Sequence, residues 1–213
     1  SFNSSLQRLN ISHNQLNADV GVRLADFFNN PIKCREIDTE NETEIITETD
    51  KRTRLFYLDV SYNLFTSKTT EALIEPVTYS YLGYLDISGN EIGDEGAAHI
   101  ASILTGSKTL VEVHLADNKI TPQGGVLIAK ALRENQVLTT LNLSKNRLED
   151  ATAFSIAEVL TVNSTLRTLT LNSAMISNAG GVKIAEASVA CTSLTSILMN
   201  DNFFTEDAGT AME

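Results

Sequence analysis

Two aspartates and a histidine recur at almost equal intervals in the middle of the chain. Asp59, Asp86 and His114 are separated by 27 and 28 residues. Carboxylate and imidazole groups act as general acids and bases, as ligands of divalent cations and as partners of lysine and arginine side chains. Residues this far apart act together only where a regular fold places them side by side, so their chemistry depends on the structural period that separates them.

The sequence contains no local motif of catalysis or nucleotide binding. Gly124 and Gly125 open a helical pattern without the Lys-Ser/Thr of a P-loop, and neither CxxC nor HExxH occurs. A hydrolase needs an activated nucleophile or a metal-bound water, together with a group that stabilises the developing charge, and the sequence shows no such set. We therefore predict that the protein is not an enzyme and has no cofactor and no metal site.

The composition indicates a globular protein, with 42% hydrophobic and 20% charged residues. A pI near 4.7 argues against nucleic-acid binding. No apolar run approaches the roughly 18 residues of a membrane span. Two cysteines cannot build a disulfide framework, so we expect a reducing, cytoplasmic setting.

A nine-residue block with apolar residues at positions one, four and six occurs seven times in the chain. The blocks read LQRLNISHN, LFYLDVSYN, LGYLDISGN, LVEVHLADN, LTTLNLSKN, LRTLTLNSA and LTSILMNDN, and they begin at Leu6, Leu55, Leu82, Leu110, Leu138, Leu166 and Leu194. The intervals between their starts are 49, 27, 28, 28, 28 and 28 residues. Seven copies in one phase define a repeat protein.

Each repeat predicts one strand and one helix. Alternation of apolar and polar residues within the block is typical of a strand with one buried face. After the block, apolar or small residues four apart, such as Gly96, Ile100 and Leu104, predict one face of a helix. A unit of this size cannot cover its own apolar face, so it must stack on its neighbours.

These blocks resemble the leucine-rich repeat family, and the 28-residue period is similar to that of its ribonuclease-inhibitor-like class. The resemblance covers almost the whole chain. It implies an α/β solenoid, or horseshoe, of about seven repeats, with parallel strands on the concave face, helices on the convex face and stacked leucines between them. Residues 1–213 are thus predicted to form a single solenoid. Neither terminus shows a polar cap, so we expect a fragment of a longer array.

An asparagine ends six of the seven blocks, and the resemblance implies that it is structural. These residues are Asn14, Asn63, Asn90, Asn118, Asn146 and Asn202. A buried amide at this position can pair with backbone groups in the turn that leaves the strand. The sixth block has Ala174 instead, so we expect one missing link and a looser turn there.

The side chains at positions three, five and eight of the blocks are expected to face the concavity. In repeats two to four these positions predict a protein-binding site of Tyr57, Asp59, Tyr62, Tyr84, Asp86, Glu112 and His114. Tyrosines supply rigid contact area with a polar tip, and carboxylates beside them suit a partner with a basic surface. The alternative is an ordinary solvated sheet face.

Asp59 and Asp86 would lie about 4.8 Å apart at the backbone and repel one another. A protonated His114, a lysine or arginine of a partner, or a divalent cation would relieve that repulsion. The three explanations remain open at this point.

The first repeat is longer than the others and contains an irregular acidic excursion at residues 30–54. Its helix is predicted at residues 19–29, before Pro31. Residues 36–50 hold seven acidic and no basic residues, so they contribute −7 to the net charge of −11. We expect this segment either to be disordered or to form a flap that contacts a basic partner through residues such as Glu42 and Glu44, or that folds back on the nearby basic residues Lys51, Arg52 and Arg54. In the second repeat, Pro76 is expected to break a short helix.

The predicted function is that of a non-catalytic scaffold, which binds a protein through the concave face and the excursion. It binds neither nucleic acid nor membrane, and membership of a larger assembly is compatible with this prediction. The class that the chain resembles also includes Ran GTPase-activating proteins, innate immune sensors and subunits of cytoskeletal or ciliary assemblies, and the fold does not choose among them. Arg147, just past the fifth block, is the residue best placed to act in a GTPase activator.

Overall fold

The computed structural model describes residues 6–29, 33–38, 43–48 and 54–205. A seven-stranded sheet contains β1 (Arg8–Asn10), β4 (Tyr57–Asp59), β5 (Tyr84–Asp86), β6 (Glu112–His114), β7 (Thr140–Asn142), β8 (Thr168–Thr170) and β9 (Ser196–Leu198) in that order. The helices of the described residues are α1 (Ala18–Asn29), α2 (Ser67–Thr78), α3 (Gly93–Gly106), α4 (Pro122–Glu134), α5 (Glu149–Leu160) and α6 (Asn178–Ala190). Strands and helices alternate as the repeat predicts, which confirms the α/β solenoid.

All neighbouring strands of this sheet are parallel and pair without a shift in register. The central residues of the strands therefore form one row, of which Leu58, Leu85, Val113, Leu141 and Leu169 are fully buried. Each helix of the array packs on the next one in sequence. The predicted helix stripes join the same core, since Ile100, Leu104, Ile128, Leu132, Ile156 and Leu160 are all buried.

Helix α2 differs from the prediction because Pro76 does not break it. Pro76 is buried in the last turn, and the helix continues to Thr78. A proline removes one backbone donor, and near the end of a helix this costs a single hydrogen bond. Tyr79 N still donates to Glu75 O at 3.2 Å, which closes the final turn.

The asparagines at the ends of the blocks link neighbouring repeats. Asn146 Oδ1 accepts hydrogen bonds from the backbone amides of Asn118 and Ile120 in the preceding repeat, each at 3.0 Å. Its Nδ2 donates to Leu115 O at 2.8 Å and to two carbonyls of its own turn, those of Leu143 and Ser144. One buried amide thus satisfies five backbone groups that the sheet leaves unpaired.

Two repeats replace this link by a different turn. Glu149 and Gly93 have positive φ angles of 54° and 60°, and their amides donate to the carbonyls of Ala174 and Asn118. Leu148 N also donates to Ala174 O at 3.1 Å. After such a turn, the residue that ends the next block does not use a side-chain oxygen to accept hydrogen bonds from the preceding repeat. Ala174 has no such oxygen, and the buried Asn118 Oδ1 accepts no hydrogen bond. The amides of Leu148 and Glu149 therefore share the Ala174 carbonyl as their acceptor, so a backbone oxygen takes part of the role of the missing side-chain amide.

The acidic excursion contains two strands, β2 (Lys33–Asp38) and β3 (Thr43–Glu48), which form a separate antiparallel sheet. Their register pairs Lys33 with Glu48 and Asp38 with Thr43. We call these two strands the hairpin. The sequence predicted no regular structure here, because the acidic composition obscures the β-branched residues that favour strands. Within the described part of the chain, the hairpin contacts no other helix or strand.

Two sequence expectations concern other parts of the chain. The seventh block is followed by Phe204, Ala208 and Met212 at the helical spacing of four, and the last two of these lie outside the described residues. None of the helices in the described ranges is both long enough and apolar enough to span a membrane.

The two turn types predict that replacing the asparagine by alanine lowers the free energy of unfolding by different amounts. Asn146→Ala leaves two amides and three carbonyls without their partner, whereas Asn118→Ala removes only donated bonds, since its oxygen is unused. We expect Asn118→Ala to lower the free energy of unfolding by about 1 kcal/mol and Asn146→Ala by about 3 kcal/mol. Urea denaturation of the two variants measures the difference. Equal losses would contradict the assignment of the two turns.

Candidate functional site

The sheet register brings the predicted site residues of three repeats side by side. Tyr57 is paired with Tyr84, and Tyr84 with Glu112. In the second column Asp59 is paired with Asp86, and Asp86 with His114. The residues whose spacing first suggested joint chemistry therefore lie on three adjacent strands.

The aromatic side chains of these strands stack on one another. The Tyr57 and Tyr84 ring centroids are 4.2 Å apart and the ring planes differ by 11°. Arg8 Cζ lies 4.1 Å from the centroid of Tyr57, and His114 packs at 5.3 Å on Tyr84 with a tilt of 38°. We call Arg8, Tyr57, Tyr84 and His114 the aromatic ladder. Its rings hold each other in place, which lowers the entropy that a partner must remove on binding.

Arg8 belongs to this site although the sequence analysis did not include it. It occupies the third position of the first block, the same column as Tyr57 and Tyr84. Guanidinium groups stack favourably on tyrosine rings. The alignment of the blocks places Arg8 in this column, but its positive charge does not fit a predicted site of acidic and aromatic residues.

A second stack lies at the rim of the concave face. The His13 and Tyr62 rings are parallel within 11° and their centroids are 4.4 Å apart. Tyr62 covers Gly89 in the next repeat so closely that a Cβ there would collide with the ring. The ring is nevertheless 46% exposed, so it offers an immobilised apolar surface to a partner.

Both carboxylate oxygens of Asp59 accept hydrogen bonds from within the chain. Its Oδ1 accepts hydrogen bonds from Ser61 N at 3.0 Å and Ser61 Oγ at 2.7 Å. Its Oδ2 accepts one from Asn10 Nδ2 at 2.8 Å, and the residue is only 9% exposed. Both carboxylate oxygens of Asp59 therefore stabilise the turn after β4 and the link to β1, while its contact with a partner stays a prediction.

The carboxylate of Asp86 has fewer and weaker hydrogen-bond donors than that of Asp59. Its Oδ1 accepts a hydrogen bond from Ser88 N at 2.9 Å, but the only donor at Oδ2 among the described residues is the Tyr84 hydroxyl, at 3.5 Å. The group is half-buried and faces the concavity. Asp86 therefore has an oxygen available for a stronger donor than the one it has.

His114, one of the three groups expected to relieve the repulsion between Asp59 and Asp86, is hydrogen-bonded to Glu112. The Asn10 amide donates to Asp59, while His114 Nε2 lies 2.8 Å from Glu112 Oε1. Among the described residues, no group of three or more His, Cys, Asp or Glu side chains is placed to hold a metal ion.

The pKa of Tyr84, in the middle of the aromatic ladder, is raised above its ordinary value. Burial is the largest cause that raises the pKa of Tyr84, and the negative charge of Asp86 is the second. Both disfavour the phenolate. The Tyr84 hydroxyl therefore remains a hydrogen-bond donor well above neutral pH.

All five tyrosines of the chain lie between residues 57 and 84. Tyr57, Tyr62 and Tyr84 face the concavity, whereas Tyr79 and Tyr81 are exposed where the chain returns from a helix to a strand. The tyrosines of this short stretch therefore lie on two different surfaces of the solenoid.

The remaining predicted residues lie elsewhere. Glu44 is in β3, whereas Glu42 and residues 49–53, which include Lys51 and Arg52, lie outside the described residues. Arg147 is exposed, and its Nε donates to Glu149 Oε1 at 2.8 Å.

Comparison with known sequences shows one family. A sequence profile described as "Leucine Rich repeat" matches residues 2–23, 80–101, 106–129, 134–157 and 162–185, together more than half of the chain. Among curated proteins, none matches the chain significantly in sequence.

Several solved structures share the fold. "Leiomodin-1 Actin-Binding Site 2" is 23% identical with a TM-score of 0.53, over 59% of this chain and 73% of that one. The tropomodulin C-terminal domain of Caenorhabditis elegans is 14% identical with a TM-score of 0.52, over 89% and 86%. An internalin of Listeria monocytogenes is 19% identical with a TM-score of 0.52, over 99% of this chain but only 59% of its own. At these identities the likeness shows the fold alone.

Removing the Asp86 charge tests the electrostatics of the ladder. Asp86→Asn should lower the pKa of Tyr84 while leaving it above its ordinary value, because burial is the larger cause. A spectroscopic titration of phenolate formation measures the shift, and Tyr84→Phe identifies the Tyr84 component. An unchanged Tyr84 titration in Asp86→Asn would contradict the proximity of the two groups.

Proposed function

Because the chain belongs to the leucine-rich repeat family, we propose that it is a non-catalytic interaction module that binds a protein partner with a basic surface. We assign it to the ribonuclease-inhibitor-like class on its 28-residue period. The binding surface consists of Tyr57, Tyr62, Tyr84, Asp86, Glu112 and His114. Arg8 stacks on the Tyr57 ring, and Asp59 binds the backbone of the turn after β4, so both hold this surface in place.

The observation that carries the proposal is the stacked arrangement of the aromatic ladder. Tyrosine side chains dominate many binding surfaces because they combine a large contact area with few rotatable bonds. In the ladder, stacking between Tyr57 and Tyr84 already restricts those bonds before a partner arrives. The same two columns in repeats five and six contain only threonine and asparagine, so the surface is confined to one half of the concave face.

The expected charge of the partner follows from the carboxylates of this surface. Asp86 and Glu112 face the same part of the concavity, and Asp86 has an oxygen with only a distant donor. A lysine or arginine of the partner would provide a charge-assisted hydrogen bond there. The net charge of −7 on residues 36–50 supports a basic surface as the partner of the excursion as well, through residues such as Glu44. Long-range attraction of this kind mainly raises the association rate and weakens with salt.

Two narrower functions remain as alternatives to a general scaffold. A GTPase activator would need a mobile arginine at the rim, and Arg147 is exposed there, although it is paired with Glu149. The name of the leiomodin structure, which contains the words "Actin-Binding Site", raises actin as a partner for a cytoskeletal module. The first alternative predicts that catalytic amounts of the protein accelerate GTP hydrolysis by a small GTPase and that Arg147→Ala abolishes this effect. The second predicts co-sedimentation with filamentous actin.

The proposal predicts which substitutions weaken partner binding. Cross-linking mass spectrometry of the native complex identifies the partner, and titration calorimetry then compares variants of this chain. Tyr57→Thr and Tyr84→Thr introduce the residue that Thr140 and Thr168 provide in the same column, so the fold should tolerate them. We expect each to weaken binding by about 10- to 100-fold, the effect of losing an aromatic anchor.

Matched controls separate this effect from a general loss of structure. Thr140→Ser and Thr168→Ser lie in the same column of repeats five and six and should leave the affinity unchanged. If they weaken binding as much as the tyrosine substitutions do, the partner does not distinguish the two halves of the concave face and the proposed site is wrong.

A further inference from the structure

Arg8 is the only lysine or arginine in the concave columns of repeats one to four, which are positions three, five and eight of the blocks. In the same repeats these columns contain four carboxylates, those of Asp59, Asp86, Glu112 and Asp117. Arg8 is exposed, and its Cζ lies 4.1 Å from the centroid of the Tyr57 ring. The acidic part of the concave face therefore ends at a positive charge that lies against an aromatic ring.

Within the described part of the chain, Arg8 forms no ion pair. The carboxylate of Asp59, on the adjacent strand, is bound elsewhere: Oδ1 accepts hydrogen bonds from Ser61, and Oδ2 accepts one from Asn10 Nδ2 at 2.8 Å. A guanidinium carries five N–H donors in a planar fork, and stacking on a ring leaves the edge of that fork available. Arg8 can thus donate two parallel hydrogen bonds to a carboxylate of another molecule while it remains stacked on Tyr57.

Stacking also gives the charge of Arg8 a defined position. A free arginine side chain samples many rotamers, and this freedom is lost when the side chain binds a partner. The Tyr57 ring under Arg8 is itself stacked on Tyr84, with centroids 4.2 Å apart. Because the ladder already restricts the guanidinium, less conformational entropy is lost on binding than for an unsupported arginine.

The opposite charges of the concave face are separated along one column. Arg8, Tyr57, Tyr84 and Glu112 are paired in this order on four adjacent strands. Three strand spacings place Arg8 and Glu112 about 14 Å apart at the backbone. Asp86, on the strand next to Glu112, has an oxygen with only a distant donor. A partner that covers this column meets a positive group at one end and negative groups at the other.

We propose that Arg8 is a specificity-determining residue of the concave surface and that it binds an acidic side chain of the partner. The contact region of that partner then has a carboxylate over repeat one and a basic group over repeats three and four, about 14 Å apart. This inference rests on the proposed function and narrows it, because the charge of Arg8 disfavours a uniformly basic surface. Like charges that face each other across an interface weaken binding and exclude wrong partners.

Two substitutions of Arg8 distinguish these kinds of partner by the sign of their effect. Titration calorimetry measures the affinity of Arg8→Gln and Arg8→Glu for the protein that cross-linking identifies in the native complex. Both variants lose the guanidinium stack, so their comparison isolates the added negative charge. We expect Arg8→Glu to bind about 10-fold more weakly than Arg8→Gln, because its carboxylate faces the acidic group of the partner.

Two results of this comparison would overturn the proposal. Tighter binding by Arg8→Glu than by Arg8→Gln would show that the partner is uniformly basic at this end of the surface. Equal affinities of the two variants would place Arg8 outside the contact.

Lys130→Gln and Lys130→Glu provide the matched control. Lys130 is exposed on α4, on the helical side of the solenoid, so the same charge change there measures the long-range effect of net charge. Screening by salt should keep the difference between these two variants below about 2-fold. A weakening by Lys130→Glu as large as that by Arg8→Glu would assign the effect to net charge and contradict the proposal. Circular dichroism confirms that each variant is folded.

Arg8→Lys locates the acidic group of the partner directly. Lysine keeps the positive charge and supplies an amine that a carbodiimide couples to a carboxylate in contact with it. We expect the introduced amine to couple to an aspartate or glutamate of the partner. Replacing that partner residue by lysine should restore the affinity lost in Arg8→Glu to within about 3-fold of the wild type. Failure of the amine to couple to any partner carboxylate, or failure of the reversed pair to restore binding, would contradict the proposal.

Tyr84→Thr separates failure of this inference from failure of the proposed function. If Tyr84→Thr weakens binding while Arg8→Glu strengthens it, the concave face binds a uniformly basic partner and only the role of Arg8 is wrong. If neither substitution changes the affinity, the partner binds elsewhere and both proposals are wrong.

Discussion

One repeat of this chain cannot bury its own apolar face, so every repeat depends on its neighbour for a core and for its backbone hydrogen bonds. The buried central residues Leu58, Leu85, Val113, Leu141 and Leu169 form one row because the strands pair without a shift. The same register fixes the side chains on the opposite face of the sheet. The aromatic ladder is thus a consequence of core stacking: once the leucines are in register, Tyr57 and Tyr84 must meet.

The turns that leave the strands differ in sequence and hydrogen bonding between repeats, although every repeat must stack on its neighbour. Asn146 satisfies five backbone groups across two repeats, whereas a turn with a left-handed residue at Glu149 or Gly93 uses a backbone carbonyl instead. A block that follows such a turn tolerates alanine, as at Ala174. Helix-to-strand connections vary in a similar way, since Tyr79 occupies a position where other repeats bury an asparagine or a serine. Sequence differences that leave the stacking intact are therefore available for binding surfaces.

The sequence period predicted the strands, the helices and the columns of the concave face, because burial and alternation follow directly from the spacing of apolar residues. It could not predict the role of Asp59, which depends on the side-chain oxygen bonding to Ser61 two residues later and to Asn10 in another repeat. It also failed at Pro76, where position within the last turn decides the effect, and at the hairpin, where acidic composition obscured strand propensity. Nor could it predict that Arg8 belongs to the site, because the stacking of its guanidinium on the Tyr57 ring depends on the conformations of both side chains.

Repeats two to four of the concave face form the proposed surface that receives the partner. Hydroxyl-radical footprinting, with and without the partner identified from the native complex, measures this residue by residue. Tyr62 and Tyr84 should lose most of their reactivity in the complex, while Phe154, exposed on α5, should keep its own. Unchanged reactivity of both tyrosines in a saturated complex would show that the partner binds elsewhere and would contradict the account.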